Sequence, residues 1–508
     1  MSAESAAAHA AARPEGHVER MSRVDTAWLR MDTDANLMMI VGVWLLEPRL
    51  SLAELRERIG PALLAYPRFK HKVVEDAMGA NWVEDQDFDI TRHVIDDTLE
   101  PRAGEAPLAA LKRRVAELAA TPLPADRPLW EFRIVESLDG QRSALVSRIH
   151  HCIGDGIALI SVMLSIADGG KPPPQRKRRE AAHTHHSDDP ADWLARAVLE
   201  PFTDLSIKAI GLTSQGLGKG MELMSMPGGP MAGSIEAARV GYQVAHDVAA
   251  LALMPDDSPT RLKGRATPGK RVAWGEPLPL DDVKAVGKAF GVSINDVLLA
   301  TVAGAIGEYL RGKGDDPTGM EIRAMVPVNL RPLDQAYKLG NRFGLVPLVL
   351  PIGIANPVER LYAVHTRMNE LKGSYQPLLA FAVLALSGLM VKPVQHAITD
   401  LFAKKATAVM TNVPGPKEPL RFCGRTVTQV MFWVPQSGDI GMGVSILSYN
   451  GAVQFGMITD RGLCPDPDRI MARFRDEFEK LVLITLMARW PRDGDLDPRE
   501  ALDVACAD

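Results

Sequence analysis

Apolar residues in this chain follow two patterns, short runs that are typical of strands and longer periodic stretches that are typical of helices. A continuous apolar run at 37–46 predicts a fully buried strand. Further strands are predicted at 132–135, 143–149, 322–330, 343–352, 408–412, 426–434, 444–449 and 452–458. Helices are predicted at 51–66, 108–119, 157–167, 281–290, 293–310 and 467–487. The helix at 157–167 is apolar on nearly every side, which predicts complete burial.

The alternation of strands and helices indicates an α/β (α+β) protein, and the changes in composition suggest its domain boundaries. We expect a disordered tail at 1–20, a first domain at 21–168, a flexible linker at 169–190, a helical connection at 191–258 and a second domain at 259–508. The linker contains Pro172 to Pro174, a basic run and three histidines. Without accompanying carboxylates or thiolates, this run is expected to be solvated and not to bind metal.

Composition narrows the class of protein and its compartment. The 508 residues are 46% hydrophobic and carry a formal net charge of −5, which argues against nucleic acid as the main partner. Four scattered cysteines without C-x-x-C spacing predict a reducing cytosol and no metal site. The start lacks the order of a signal peptide, and no stretch of about 20 apolar residues predicts a spanning helix. The apolar stretch at 377–391 is either a buried helix, which we expect by default, or one lying at a lipid surface.

Two adjacent histidines, His150 and His151, stand where a predicted strand meets a predicted helix. The turn after them, Cys152 to Gly156, contains two glycines, which we expect to adopt backbone angles that other residues resist. Packing alone explains such a pair poorly, whereas a strand end that delivers an imidazole to a turn is a common way to present a general base. A satisfied core histidine pair beside an Asp-Gly turn is the structural alternative.

The run H-H-x-x-x-D-G at 150–156 resembles the signature of coenzyme A-dependent acyltransferases and of peptide-synthetase condensation domains. Pro128-Leu129-Trp130 and Asn295-Asp296 resemble further motifs of the bacterial wax ester synthase/diacylglycerol acyltransferase family. The resemblance covers about 21–486. It implies two domains of chloramphenicol-acetyltransferase type, each a mixed sheet with flanking helices, around a central solvent tunnel in which the histidine strand end would lie midway. Alone, a Pro-Leu-Trp run is a turn before a core aromatic residue, and Ser293-Ile294-Asn295-Asp296 is an ordinary helix cap.

The resemblance also implies roles for these residues. His151 would be the general base, and Asp155 would be structural, paired with an arginine that the sequence does not identify. Gly156 would belong to the turn, and His150 would position the turn or line the acceptor side. Asn295 or a backbone amide would stabilise the oxyanion, because positive potential is available at a helix N-terminus. Pro128, Leu129, Trp130 and Asp296 would bind substrate.

The expected activity is transfer of a long-chain acyl group from acyl coenzyme A, as co-substrate, to diacylglycerol or a fatty alcohol. We expect no cofactor or metal, and a cytoplasmic protein that contacts the inner membrane face or a lipid inclusion peripherally. The sequence contains no G-x-S-x-G motif, so a serine acyl-enzyme is not favoured. Two alternatives stay open: a condensation-type acyltransferase joining carrier-bound chains, and a non-catalytic scaffold on lipid droplets.

One further motif is rejected as a nucleotide site. The run GRATPGK at 264–270 matches the start of a phosphate-binding loop. However, Arg271 stands where Ser or Thr should bind magnesium, Pro268 lacks an amide hydrogen, and a strand is predicted to follow in place of a helix.

Overall fold

The apolar run near residue 40 forms the middle of the first sheet and is buried on both faces. In the computed structural model of the chain, this strand spans Met39–Glu47. Side chains at even positions, such as Ile40 and Trp44, enter one hydrophobic core, and those at odd positions, such as Val41 and Val43, enter another. A strand with both faces covered needs a continuous apolar sequence, which explains why alternation is absent. The structure describes residues 18–488 except 77–78, 171–252, 332–337, 373–375 and 391.

The elements of the described residues are numbered here in chain order. The strands are β1 (Val18–Arg20), β2 (Met39–Glu47), β3 (His71–Asp76), β4 (Gly79–Glu84), β5 (Val94–Asp96), β6 (Trp130–Val135), β7 (Ser143–His150), β8 (Lys270–Trp274), β9 (Leu278–Pro279), β10 (Ile322–Asn329), β11 (Phe343–Leu350), β12 (Ala408–Pro414), β13 (Arg421–Phe422), β14 (Arg425–Trp433), β15 (Met442–Tyr449) and β16 (Ala452–Asp460). The helices are α1 (Arg23–Arg30), α2 (Leu52–Leu63), α3 (Pro107–Ala119), α4 (Gly156–Ile166), α5 (Leu280–Ala289), α6 (Ile294–Gly312), α7 (Pro357–Lys372), α8 (Gln376–Ser387), α9 (Lys392–Ala403) and α10 (Asp468–Met487).

Two mixed sheets organise the fold, as expected for the α/β class. The first has the order β13-β14-β2-β7-β6-β5, with only β5 and β6 parallel. The second has the order β11-β10-β12-β15-β16-β8, with β9 paired to β16 and parallel pairs β10–β12 and β12–β15. A small sheet, β1-β4-β3, lies beside the first. The core of the second half packs α5, α6, α7 and α10 against the second sheet.

The first sheet takes two strands from the second half of the chain. β14 pairs antiparallel with β2, and the register joins Val427 to Leu46 and Trp433 to Val41. The predicted boundary at 259 therefore does not separate two independent sheets. Trp433 also contacts Trp274 of β8, with ring centroids 5.5 Å apart, in the core between the sheets. The two halves thus share both a sheet and a core.

Several local predictions are confirmed. Ser51 begins α2 with a capping box, and Ser293 begins α6 in the same way. Asn450 and Gly451 both have positive φ, as a two-residue hairpin turn requires. A strand, β8, does follow the rejected phosphate-loop motif, whose Thr267 hydroxyl bonds the Asp460 carboxylate.

Other predictions are wrong. Residues 18–20 of the predicted tail form β1, because their backbone pairs with β4. α4 buries only one face, through Ala158, Leu159, Val162 and Ile166, because its other apolar side chains border a cavity. The helix predicted at 377–391 ends earlier, at Ser387, and is partly exposed at Val383. The linker at 169–190 and helical connection at 191–258 lie mostly outside the described residues.

No single helix of the described residues has the length and apolar character needed to cross a membrane. The bent pair α5–α6, which turns by 99°, passes a test of length and composition. Fourteen residues of α6 are buried in the core of the second half, which accounts for its apolar sequence.

Candidate active site

The two adjacent histidines lie at the end of β7 and are held in different ways. His150, the last residue of β7, has both ring nitrogens in hydrogen bonds. Nε2 lies 3.3 Å from the Asp32 carboxylate, and the Cys152 amide donates to Nδ1 over 3.1 Å. Burial lowers the pKa of His150, but Cys152 and the Asp32 carboxylate outweigh it, so that the pKa lies above its usual value. The Cys152 amide can donate to Nδ1 only when the ring is neutral with its proton on Nε2, so this hydrogen bond and the raised pKa favour different protonation states of His150.

His151 is held mainly by other rings, and its imidazole also interacts with the Asn341 side chain and with its own backbone. Its side chain stacks on Trp28, with centroids 4.2 Å apart and planes 19° from parallel, and Phe343 lies 5.5 Å away. Nδ1 is buried without a hydrogen-bond partner in the described part of the chain. Burial, with a smaller contribution from His150, lowers the pKa of His151 to about 3. The ring is therefore neutral at cellular pH, as a proton acceptor must be.

Asp155 joins the turn to the second half of the chain. Its Oδ1 accepts from the Ala158 amide and caps α4, while Oδ2 lies 2.9 Å from the Arg331 guanidinium. The Arg342 amide also donates to Oδ2, over 3.0 Å. Arg331 is thus the arginine that the sequence left unidentified. These contacts assign Asp155 a structural position, and its role in the reaction stays a prediction.

A loop of the second half, 338–342, covers the histidine turn. Asn341 Nδ2 donates to the His151 carbonyl and to the buried Asp25 carboxylate, each over 2.8 Å. Asp25 also pairs with Arg68, which in turn donates to the Ile153 carbonyl. Sequence reasoning missed Asp25, Trp28, Arg68 and Asn341. In the sequence, Asp25 and Trp28 only precede the strand β2. Nothing in their local pattern indicates a contact with histidines about 120 residues later.

The glycines of the turn are not needed for special backbone angles. Neither Gly154 nor Gly156 has positive φ, which corrects the prediction. Gly154 forms an isolated bridge with Gly340, where a side chain would touch Leu339 at 3.4 Å. At Gly156 an added Cβ would meet no atom within 4 Å, and this residue borders a cavity. A side chain at Gly156 would therefore project into that cavity.

The Pro128-Leu129-Trp130 run supports the histidine strand from behind. The His150 amide donates to the Leu129 carbonyl over 2.9 Å. Trp130 is 1% exposed, donates from its indole to the Phe69 carbonyl and stacks on His93 at 4.4 Å. Pro128 and Leu129 are buried as well. This geometry is that of core residues, so a direct substrate contact for them stays a prediction.

Asn295 and Asp296 lie in the first turn of α6, and the side chain of Asn295 is exposed whereas that of Asp296 is buried. Asp296 is fully buried, completes the capping box with Ser293 and lies 2.7 Å from His365 Nδ1. Asn295 is exposed and accepts from Asn412 Nδ2 over 2.6 Å. Among the described residues, no hydrogen bond or ring contact joins Asn295 to the histidine turn. Asp296 thus stabilises the start of α6, and substrate binding by it stays a prediction.

Two apolar cavities lie near the histidine turn. One, of about 80 Å³, is bordered by Ile149, Gly156, Leu159 and Tyr449. The other, of about 250 Å³, is enclosed mainly by α8 and α9 and reaches Phe343 and Met31. Phe343 contacts His151, so this second cavity ends against the ring that covers the imidazole. His151 itself is 4% exposed and borders neither cavity, in contrast to the expected position midway along an open tunnel.

Comparisons with known proteins agree with the motifs. A model of the wax ester synthase/diacylglycerol acyltransferase catalytic domain matches residues 21–298, and the C-terminal domain model of the same family matches residues 339–482. A probable diacylglycerol O-acyltransferase of Mycobacterium tuberculosis is 27% identical over 480 residues, which are 92% of this chain and 96% of that protein.

Solved structures show the same fold at lower identity. The wax ester synthase/diacylglycerol acyltransferase of Marinobacter aquaeolei VT8 is 20% identical, with a TM-score of 0.62 over 92% of this chain and 99% of that one. The first condensation domain of the calcium-dependent antibiotic synthetase is 14% identical, with a TM-score of 0.55 over 92% of this chain and 96% of that one. With its catalytic-domain model matched over more than half of the sequence, this chain belongs to the wax ester synthase/diacylglycerol acyltransferase family.

Proposed function

We propose that this protein transfers a long-chain acyl group from acyl coenzyme A to the hydroxyl group of diacylglycerol or of a fatty alcohol. The observation that carries the proposal is the placement of His151, a neutral imidazole at a strand end that contacts Phe343 on the border of an apolar cavity, in a chain of this family. The names of the matched family and of its relatives support both kinds of acceptor.

The chemistry follows from a neutral imidazole. His151 takes the proton of the acceptor hydroxyl while the oxygen attacks the thioester carbonyl carbon. The tetrahedral intermediate then collapses, the carbon–sulfur bond breaks, and the imidazolium returns the proton to the departing coenzyme A thiolate. One ester bond forms and one thioester bond breaks, without an acyl-enzyme. A pKa depressed to about 3 makes the resting imidazole a weak base, so proton transfer is coupled to attack and does not precede it.

Asn295 is our candidate for oxyanion stabilisation. Asn412 donates to its Oδ1, which leaves the two Nδ2 hydrogens without a partner among the described residues. The side chain also lies in the first turn of α6, where the helix dipole favours negative charge. A backbone amide of the turn remains the alternative donor, as the sequence already suggested.

The apolar cavities support a lipid substrate. The cavity at Phe343 approaches the lower end of the size range of ligand pockets, about 300–1,000 Å³, and its border is almost free of charged groups. Aliphatic chains bind in such cavities by burial of apolar surface. The protein is further proposed to act in the cytoplasm in peripheral contact with a lipid surface, which the exposed Leu389, Met390, Val394 and Leu401 near α8 and α9 support.

The test is a thiol-release assay with palmitoyl coenzyme A and the purified full-length protein. Hexadecanol and diolein are offered in parallel, and the ester products are identified by mass spectrometry. Acceptor-dependent thiol release with matching ester is the expected result. Release that is equal without an acceptor indicates hydrolysis, and no release with either acceptor rejects the proposal in favour of a scaffold.

A further inference from the structure

An aromatic side chain from α1 lies flat on the histidine that the proposed reaction uses. Trp28 and His151 have ring centroids 4.2 Å apart and planes within 19° of each other. Trp28 is 5% exposed, and Phe343 closes the group at 5.5 Å from both rings. The indole therefore covers one face of the imidazole.

No hydrogen bond to Nδ1 takes over this task. In catalytic triads, the base is oriented by a third group that bonds its second nitrogen. Here Nδ1 of His151 is buried and has no such partner in the described part of the chain. The neighbouring His150 provides the contrast, since both its ring nitrogens are bonded. Apart from interactions with the Asn341 side chain and with its own backbone, the His151 ring is oriented by contact with other rings.

The helix that carries Trp28 is itself fixed on three sides. Ser22 caps its start, and Asp25 binds Asn341, which also binds the His151 carbonyl. On the opposite side, Gln395 of α9 donates to the Ala27 carbonyl over 2.7 Å. An added Cβ at Gly388 would lie 1.9 Å from the Arg23 carbonyl, so the end of α8 packs directly on α1. The indole is consequently held by the fold before any substrate binds.

We propose that Trp28 is a positioning residue for His151, whose imidazole it holds in the plane required for proton transfer, an inference that rests on the proposed acyltransferase function. General-base catalysis requires the acceptor nitrogen within hydrogen-bond reach of the hydroxyl, and small misplacements reduce rates strongly. Removal of the indole would uncover one face of the imidazole and leave the ring less restricted in its plane. The reaction would then slow at the chemical step, while binding of the acyl donor would change little.

The experiment compares Trp28→Phe with Trp28→Leu in the full-length protein, by thiol release from palmitoyl coenzyme A. Phe keeps a flat ring, and we expect kcat within about threefold of the wild type. Leu keeps apolar bulk without a ring face, and we expect kcat to fall about 10- to 100-fold with KM for palmitoyl coenzyme A within about threefold. Circular dichroism and Tm report whether each variant is folded.

A matched control separates positioning from loss of core packing. Trp274→Leu removes a buried indole that packs on Trp433, away from the histidine turn. We expect a lower Tm and an unchanged kcat for this variant. A kcat loss in Trp274→Leu equal to that in Trp28→Leu would overturn the inference, because both would then report general destabilisation.

A double substitution tests whether Trp28 acts through His151. In the His151→Ala background, Trp28→Leu should not lower the residual rate further, since no imidazole remains to be positioned. An additional loss would mean that Trp28 contacts substrate directly, which contradicts the proposal. Full kcat in Trp28→Leu overturns this inference alone, whereas absence of thiol release by the wild type overturns the proposed function and this inference together.

Discussion

The Asp155 carboxylate lies 2.9 Å from the Arg331 guanidinium, and both side chains are buried. The pair joins the N-cap residue of α4 to Arg331, which follows β10, across 176 residues of sequence. Arg331 also donates to the Gly340 carbonyl, and Gly340 forms a bridge with Gly154. The geometry of the histidine turn is therefore set jointly by the two halves of the chain.

Loss of one partner of this pair should destabilise the protein. Removing one charge of a buried ion pair typically costs about 3–5 kcal/mol, because the other charge stays buried without compensation. We expect Arg331→Met to lower the free energy of unfolding by about this amount. The activity of the variant should fall only as far as the fraction of folded protein falls. Asp155→Asn should cost less, since Asn still caps α4. Urea denaturation checks both, and unchanged stability in Arg331→Met with lost activity would contradict the structural role.

Substitution of His151 should stop the reaction without unfolding the protein. General-base catalysis typically contributes 10²–10⁴-fold, and we expect His151→Ala to lose at least 10²-fold in kcat for palmitoyl coenzyme A thiol release. His151→Gln is the control for side-chain volume, and both variants should remain folded by circular dichroism. Turnover in either variant comparable to that of the wild type would end the general-base assignment.

The depressed pKa of His151 gives a prediction for pH. In the folded protein this imidazole stays neutral down to about pH 3, so kcat/KM should not fall between pH 8 and 5.5 along a titration centred near 6.5. The unfolded chain binds a proton at this residue below about pH 6.5, whereas the folded chain does not. Stability therefore decreases as pH falls below 6.5, and it is unaffected by this group above that pH. When the pH is lowered from 8 to 5, Tm should fall less in His151→Gln than in the wild type, because the variant lacks this titrating group.

Trp130 tests whether the Pro-Leu-Trp motif binds substrate or supports the core. We expect Trp130→Ala to cost about 3–5 kcal/mol of stability, as for other large buried aromatic residues. Trp130→Phe removes the indole hydrogen bond to the Phe69 carbonyl. We expect this loss to lower the free energy of unfolding by about 1 kcal/mol beyond the effect of altered packing. KM for palmitoyl coenzyme A should stay constant in the folded fraction. A raised KM at unchanged Tm would instead favour the substrate-binding role.

Asn295 is exposed, so its contribution to catalysis can be separated from stability. As an oxyanion donor its removal should lower kcat about 10²–10³-fold, with Tm unchanged. The control is Asn412→Ala, which removes only the group that orients the Asn295 amide and should have a smaller effect. If Asn295→Ala retains full kcat, the oxyanion donor is a backbone amide of the turn.

Local features could be predicted from sequence because a few neighbouring residues determine them. The capping box of Ser51 and Glu54 and the hairpin at Asn450-Gly451 depend on contacts within four residues. The pairing of Asp155 with an arginine was predicted, but Arg331 could not be chosen, since many arginines are compatible with one carboxylate. The positions of Asp25, Trp28 and Asn341 in the site depend on contacts across more than 120 residues, and no local pattern encodes such contacts. The partial exposure of α4 was missed because a cavity border and a core are equally apolar in sequence.

The pairing of β14 with β2 has a consequence for how the protein is made. A nascent chain that has reached residue 170 already contains the histidines, yet the β2 edge of their sheet has no partner until residues 425–433 leave the ribosome. During that interval a nine-residue apolar edge is open to other chains, as in aggregation-prone folding intermediates. A fragment ending before β14 should therefore be insoluble, and co-expression of the remaining residues should rescue it by strand complementation.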